Sequence, residues 1–414
     1  MLGFLRRSYS AAKPLFRRAT LTLWSGLAVS ATGDEVYRAA LIWLAVREFG
    51  GSAALLSSLE AATILLFALV VGRMIDGRDP RQMLVVAEFF RGGVMVLLLV
   101  VMYLGQGSFA VFAVTAVLIA SQRAIIYPAV QACIPRTVDD VSSLTKINAF
   151  FDATLRLARI AGPSFIGLLS ALVQVPFFFA ISALACFSSS AAAAVLGRVS
   201  GFQKMPHHLD AGYSPRMERR SIAAIVKSVP GTRQMLIAYG VVNGIWVVAV
   251  PTGIALLLTA SGRIETYGII MAVYGGANLF GTLALTLLSR LSSAALFYIG
   301  ATVQGVGIIC MGTGWLILPG SHLLLALGAA VTAVGGPFLD VGISTTVQSQ
   351  FALDDIARVS RYRLICVWGS VLVASAMSAR LFDVFGAPLI IIGCGLIALG
   401  CGAVGAFRRR SSVQ

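Results

Sequence analysis

The chain has 414 residues, of which 58% are hydrophobic and only 12% charged, where soluble globular domains carry roughly a quarter. That balance excludes a water-soluble domain and makes lipid the expected solvent. The 32 basic and 17 acidic residues give a net charge of +15, but the basic residues crowd into alternate loops, which is the pattern of a membrane protein and not of a nucleic-acid binder.

Apolar stretches of about 20 residues, enough to cross a hydrocarbon core of about 30 Å as helix, recur along the whole chain. Helix is the only choice, since an isolated strand in lipid leaves its backbone groups unpaired. Residues 1–20 form a basic segment (Arg6, Arg7, Lys13, Arg17, Arg18) expected on the cytoplasmic side. It reads as retained, because the run that follows is too long for a signal-peptide core and no small-residue cleavage site ends it. The first span, 21–46, holds Asp34, Glu35 and Arg38, and the second, 51–74, holds Glu60. At ~1.5 Å per residue, Asp34 lies ~20 Å into the membrane. A bare carboxylate there is costly, so it must be neutral, paired or facing a wet cavity. Asp34 and Arg38 are spaced to pair, leaving Glu35 or Glu60 to exchange a proton or to meet a cationic substrate. The alternative is a closed Asp34–Arg38–Glu60 ion network that only ties the first two helices together.

A basic loop with Gly72, Asp76, Arg78 and Arg81 leads into the third span, 82–104, which opens on Glu88 and Arg91. Asp76 can cap the cytoplasmic end of a neighbouring helix, the eleventh being the candidate, and so latch that side shut. Alternatively it only stops its helix while the arginines set topology. The fourth span is 109–130; the fifth, 146–173, places Asp152, Arg156 and Arg159 on one face at its start, suited to a cytoplasmic network with Glu88 and Arg91. Gly162-Pro163 is expected to interrupt that helix. The sixth span, 175–197, is followed by the longest polar segment, 198–232.

Beyond this linker come spans at 233–259, 264–288, 293–317, 321–345, 360–382 and 385–407, then a basic tail, 408–414. Asn243, Trp246 and Pro251 in the seventh, with Tyr274 and Asn278 in the eighth, would suit a cavity for a ligand of mixed polarity. Asp340 in the tenth lies nearer the cytoplasm, as a gate or packing partner. The segment VQACIPRTVDDVSSLTKINAF resembles VQSQFALDDIARVSRYRLICV, offset by the 217 residues between Val130 and Val347. That faint repeat, with the linker, predicts an all-α integral membrane protein of twelve transmembrane helices in two pseudo-symmetric bundles, 21–197 and 233–407.

The loops between these spans alternate in charge. Basic residues follow the second, fourth, sixth, eighth, tenth and twelfth spans, whereas the intervening loops hold only Arg47, Arg263 and Arg380. Both termini and the linker are therefore expected in the cytoplasm, with bilayer lipid as a partner and nucleic acid as none. The six cysteines, without CxxC spacing, read as buried structural thiols. His207, His208 and His322 form no metal cluster, and no cofactor is expected.

GRMIDGRDPR (Gly72–Arg81) resembles the loop between helices two and three of the major facilitator superfamily; Gly72, Asp76, Arg78 and Arg81 match, while Gly77, Asp79 and Pro80 depart. PAVQACIP (Pro128–Pro135), Ile147-Asn148-Ala149 and LARIAGPSFIGLL (Leu157–Leu169), with Gly33-Asp34 and Glu88 to Arg91, resemble the branch that holds the enterobactin-exporter-like and macrolide-efflux-like proteins. In the second half the resemblance thins to hydropathy and Gly335-Gly336-Pro337. The segment around Gly162-Pro163 is similar to the family's antiporter motif, with Ala158 and Ile166 where further glycines are expected. The resemblance implies the major facilitator fold, a monomer in a bacterial inner membrane, and export of an amphipathic small molecule, a siderophore or a drug, driven by protons. Proton-coupled uptake and lysophospholipid flipping are the rivals within transport; a non-transporting receptor or scaffold is the rival outside it. No Walker lysine loop or nucleophile arrangement supports an enzyme.

Overall fold

The computed structural model describes residues 17–75, 78–137, 144–200, 202, 226, 228–229, 231–259, 263–285, 291–351 and 353–411. Twelve long helices follow one another among them: α1 (Arg18–Phe49), α2 (Ala54–Ile75), α3 (Pro80–Tyr103), α4 (Phe109–Cys133), α5 (Leu144–Leu169), α6 (Phe177–Leu196), α7 (Thr232–Thr259), α8 (Ile264–Ala284), α9 (Ser293–Ile317), α10 (His322–Gln350), α11 (Leu353–Phe385) and α12 (Ala387–Ser411). Among the described residues, nine stretches are long and apolar enough to cross a bilayer, α1 and α2 counting as one of them. The helices outside that set are α5, which carries Lys146, Asp152, Arg156 and Arg159, and α12, whose apolar part is the shorter Ala387–Ala403.

Local chemistry sets the helix ends. Asp79 accepts a hydrogen bond from the Arg81 amide at 3.1 Å with Pro80 in the first turn, and Ser108, Ser292 and Ser321 cap α4, α9 and α10 in the same way; each supplies an acceptor to an otherwise orphaned backbone N–H. Gly50 (φ 55°) ends α1 and Gly386 (φ 76°) separates α11 from α12, both in the left-handed region that favours glycine. Helix α5 runs unbroken through Gly162-Pro163, contrary to the interruption expected from sequence. The carbonyl that Pro163 leaves without its helical donor, that of Arg159, faces Gly275 of α8; Gly162 lies so close to α1 that a methyl there would stand 2.5 Å from the Glu35 Cβ.

The packing repeats itself. Within the first six helices α1 meets α5 and α6, α3 meets α4 and α6, and α2 meets α4; within the last six, α7 meets α11 and α12, α9 meets α10 and α12, and α8 meets α10. The main contacts between the two sets are α5 with α8 and α2 with α11. At the end of the molecule that holds the α1–α2, α5–α6 and α7–α8 connections, the far end, one apolar core crosses from one set to the other. It includes Tyr37, Trp43, Leu56 and Phe179 from the first six helices, and Val250, Ile254, Tyr267 and Phe382 from the last six. Trp43 and Tyr267 meet with ring centroids 5.7 Å apart, and a methyl at Gly268 would come 2.6 Å from the Gly167 backbone nitrogen. At the opposite, near end the cores are separate: Leu84, Ile126, Ile147 and Leu196 belong to the first six helices alone, and Leu236, Phe297, Ile343 and Val359 to the last six alone. Among the described residues the two sets of helices thus share a core at one end and keep separate cores at the other.

Of the free cysteines, Cys133, Cys186 and Cys394 are buried, whereas Cys310 is exposed and Cys366 and Cys401 are half-buried. The expectation of burial therefore fails at Cys310, which lies on an outer face that lipid would cover. His207 and His208 lie outside the described residues; His322 is exposed at the start of α10. Among the described residues no group of three or more His, Cys, Asp or Glu could hold a metal.

Candidate central cavity

Between the two sets of helices lies a cavity of about 400 Å³. The first six helices line it with charge: Glu35 and Arg38 from α1, Glu60 from α2 and Arg159 from α5. The last six line it mainly with rings and amides, among them Tyr239, Asn243, Trp246, Tyr274, Asn278 and Gln304, plus the single carboxylate Asp340. Glu35, Arg38, Glu60, Asn243 and Trp246 therefore line one cavity. Asn243 gives a hydrogen bond to the Tyr239 carbonyl at 2.8 Å, and the Trp246 indole N–H donates to the Tyr274 hydroxyl at 2.7 Å. Within the seventh helix lies a buried π turn, Val248–Thr252, containing Pro251; such turns re-aim side chains where the regular ladder is broken.

Behind the charged wall the structure departs from the expected pairing. Asp34 does not take Arg38 as its main partner: their closest approach is 4.0 Å. Its partner is Arg123 of α4, which donates from Nε at 3.1 Å and Nη2 at 3.0 Å to Asp34 and from Nη1 at 3.4 Å to Glu60. One guanidinium thus holds two carboxylates on two helices, using the planar fork that lysine lacks. Asp34, Arg123 and Glu60 are only 16%, 13% and 16% exposed, and the Arg123 guanidinium lies 5.9 Å from the Tyr37 ring. Arg123 was missed in the sequence, although an arginine deep in an apolar span demands a carboxylate for the same reason Asp34 demands a cation.

Glu88 and Arg91 also sit elsewhere than expected. They form a buried pair at 2.8 Å inside the α1, α3 and α6 packing: Ser30 and Ser189 donate to Glu88, Arg91 donates to Ser30, and Arg91 reaches Asp34 at 3.6 Å. They extend the Asp34 network inward and do not line the near-end opening, because small Ser30 and Ser189 leave room for both side chains between helices. Arg81 likewise turns into its own set of helices, to the Ala194 carbonyl at 3.0 Å and to Asp79, which Arg136 also approaches at 3.3 Å. Gly72 lies in the last turn of α2 and Arg78 is exposed beyond it. Asp76 lies outside the described residues, as does the side chain of Asp152; Arg156 is half-buried on α5. Pro163 lines the cavity beside Arg159.

Glu35 differs from its neighbours. It faces the cavity, and among the described residues no cation stands within ion-pair distance of it.

No family model matches the chain. It is 30% identical over 197 residues to the multidrug efflux pump Tap of Mycobacterium tuberculosis (strain ATCC 25618 / H37Rv) and equally to that of Mycobacterium bovis (strain BCG / Pasteur 1173P2), covering 46% of this chain and 46% of each pump. The chain thus spans about half the length of the curated relatives it matches. Among solved structures it is similar to the POT family transporter PepTSo (TM-score 0.73, 14% identity, 96% of this chain and 98% of that one). It is similar also to a POT family transporter in complex with a thioalcohol-conjugated peptide (0.72, 12%, 95% and 96%) and to a bacterial homologue of the iron transporter ferroportin in an inward-facing state (0.71, 15%, 94% and 98%). All of these are transporters or pumps and not enzymes. At 12–15% identity this likeness shows the fold alone: the chain has the fold of these transporter structures.

Proposed function

We propose that the chain is a secondary active transporter that works by alternating access, exporting an amphipathic small molecule, a drug or siderophore, in exchange for protons. In this reading all twelve helices cross the membrane as two six-helix bundles, α1–α6 and α7–α12, with the near end in the cytoplasm, where the basic loops lie. The recurrence of the packing pairs at an interval of six helices supports the two bundles, as does the exchange of α5–α8 for α2–α11 between them. The likeness to the Tap pumps supports export of a drug-like molecule.

One observation carries the reading: Glu35, a carboxylate with no cation within ion-pair distance among the described residues, stands in a cavity across which the described residues share a core at one end and keep separate cores at the other. Asp34 and Glu60 are held by Arg123 and Asp340 accepts from the Tyr239 hydroxyl, so Glu35 is the carboxylate best placed to take up and release a proton as the bundles rock. The charged or titratable groups that share its cavity are Arg38 on its own helix, Glu60 of α2, Arg159 of α5, Tyr239 of α7, Tyr267 and Tyr274 of α8 and Asp340 of α10. Each state of the cycle would offer Glu35 to one aqueous side.

The test uses the purified chain in proteoliposomes with a pH-sensitive dye inside. Amphipathic drugs and a siderophore, added in turn, should make at least one substrate move protons in the opposite direction. Glu35→Gln should abolish that proton movement while leaving downhill exchange of labelled substrate in place. Unchanged proton coupling in Glu35→Gln would remove the role assigned here, and no solute movement with any compound would favour the receptor or scaffold reading.

A further inference from the structure

The wall contributed by α7–α12 holds one carboxylate facing the cavity, Asp340. Its partner is neutral: the Tyr239 hydroxyl donates to it at 2.8 Å. Arg363 is engaged elsewhere, with its guanidinium 5.7 Å from the Tyr239 ring centre and a hydrogen bond to Ser344 at 3.0 Å. Among the described residues no cation lies within ion-pair distance of Asp340.

One helical turn before Asp340, Gly336 lines the same cavity, and residues four apart share a helix face. A methyl at Gly336 would stand 3.0 Å from the Asn278 amide nitrogen and 3.4 Å from that of Gln304, so both amides crowd this turn. Asn278 is satisfied through the Ala333 carbonyl at 3.1 Å. Gln304 is not: the side chain borders the cavity and is only 6% exposed, yet its Oε1 has no hydrogen-bond partner among the described residues. A buried acceptor left unmade costs free energy until a donor reaches it, and a carboxylate paired only to a hydroxyl gains most from a positive charge.

The Gln304 amide, whose oxygen lacks a donor, and the Asp340 carboxylate border the same turn of α10 and the same cavity, and together they ask for one kind of group, a cation carrying several N–H donors. The aromatic pair Trp246 and Tyr274, with ring centroids 6.0 Å apart, lines the same cavity and offers a surface for an apolar body and for cation–π attraction. Resting on the transport reading above, we propose that Asp340, Tyr239 and Gln304 form a subsite for a protonated amine, so that the transported molecule is an amphipathic cation and not an acidic iron chelator. Glu35 then serves the proton and Asp340 the substrate, on opposite walls.

The experiment compares two fluorescent probes of matched shape, 1-aminomethylpyrene, protonated at neutral pH, and 1-hydroxymethylpyrene, by equilibrium binding to the purified chain in nanodiscs. Wild type should bind the amine at least about tenfold more tightly than the alcohol. Asp340→Asn should cut that preference to about threefold or less and leave the alcohol's Kd unchanged, while Asp340→Glu should restore part of it. Gln304→Leu supplies a second variant that removes no charge and should weaken the amine alone. Equal binding of the two probes by wild type, or an undiminished preference in folded Asp340→Asn, overturns the subsite. Binding of neither probe overturns it too, and the vesicle assay decides separately whether the transport reading falls with it.

Discussion

Arg123 shows how much one side chain carries in a low-dielectric interior. It neutralises Asp34 and Glu60 from a helix that touches neither charge along the sequence. Removing one partner from a buried charge network strands the others, at a cost of about 3–5 kcal/mol. Arg123→Leu should therefore lower the thermal unfolding midpoint in detergent clearly. Arg123→Leu combined with Glu60→Gln should recover part of that loss, because Arg91 still reaches Asp34 at 3.6 Å and only Glu60 is left wholly without a cation. Arg123→Lys should not substitute, since one ammonium cannot span two carboxylates on two helices. An unaltered midpoint in Arg123→Leu would mean that the network contributes nothing to the fold. The carboxylates were legible in the sequence because an acid in an apolar run is conspicuous. Their true partner was not, because pairing was sought at helical spacing within α1, whereas the network is closed by α3 and α4, which only the fold brings near.

Among elements, the helices were legible almost throughout, since length and hydropathy dictate them, although among the described residues α5 and α12 fall outside the stretches long and apolar enough to cross a bilayer. Helix α11 runs to Leu353–Phe385 where 360–382 was expected, because its charged first turns lie beyond the apolar part that a hydropathy reading detects. The interruption expected in α5 does not occur, for proline in a packed helix is tolerated when neighbours approach the freed carbonyl, here through Gly275. What no single-helix pattern could give is that α5 and α8 meet glycine to glycine. At Gly268 the obstacle to a side chain is the Gly167 backbone, which cannot turn aside as a flexible side chain can. Gly268→Val should therefore wedge the far end open. In a cysteine-free background bearing Trp246→Cys, a membrane-impermeant thiol reagent applied from the far side should label that position several-fold faster in Gly268→Val than without it. Equal labelling would show that this seam does not seal the cavity.

At the scale of the whole molecule the arrangement is two sets of helices sharing a core at one end and keeping separate cores at the other. A hydrophobic seam of that kind is stable yet divisible, since among the described residues it joins surfaces without a chain of buried ion pairs between them. The faint repeat in the sequence corresponds to a packing that recurs every six helices, although neither half's motifs say which end is closed. The most direct measurement of the central claim is a pair of spin-label distances in nanodiscs. One pair, at exposed Gln131 of α4 and Gln348 of α10, spans the near end; the other, at exposed Gln174 and Arg263, spans the far end. Lowering the pH or adding a transported compound should lengthen the far-end distance and shorten the near-end distance together, and in Glu35→Gln the response to pH should vanish. Distances that stay fixed in every condition, or that change in the same direction at both ends, would contradict a cavity that opens to one side at a time.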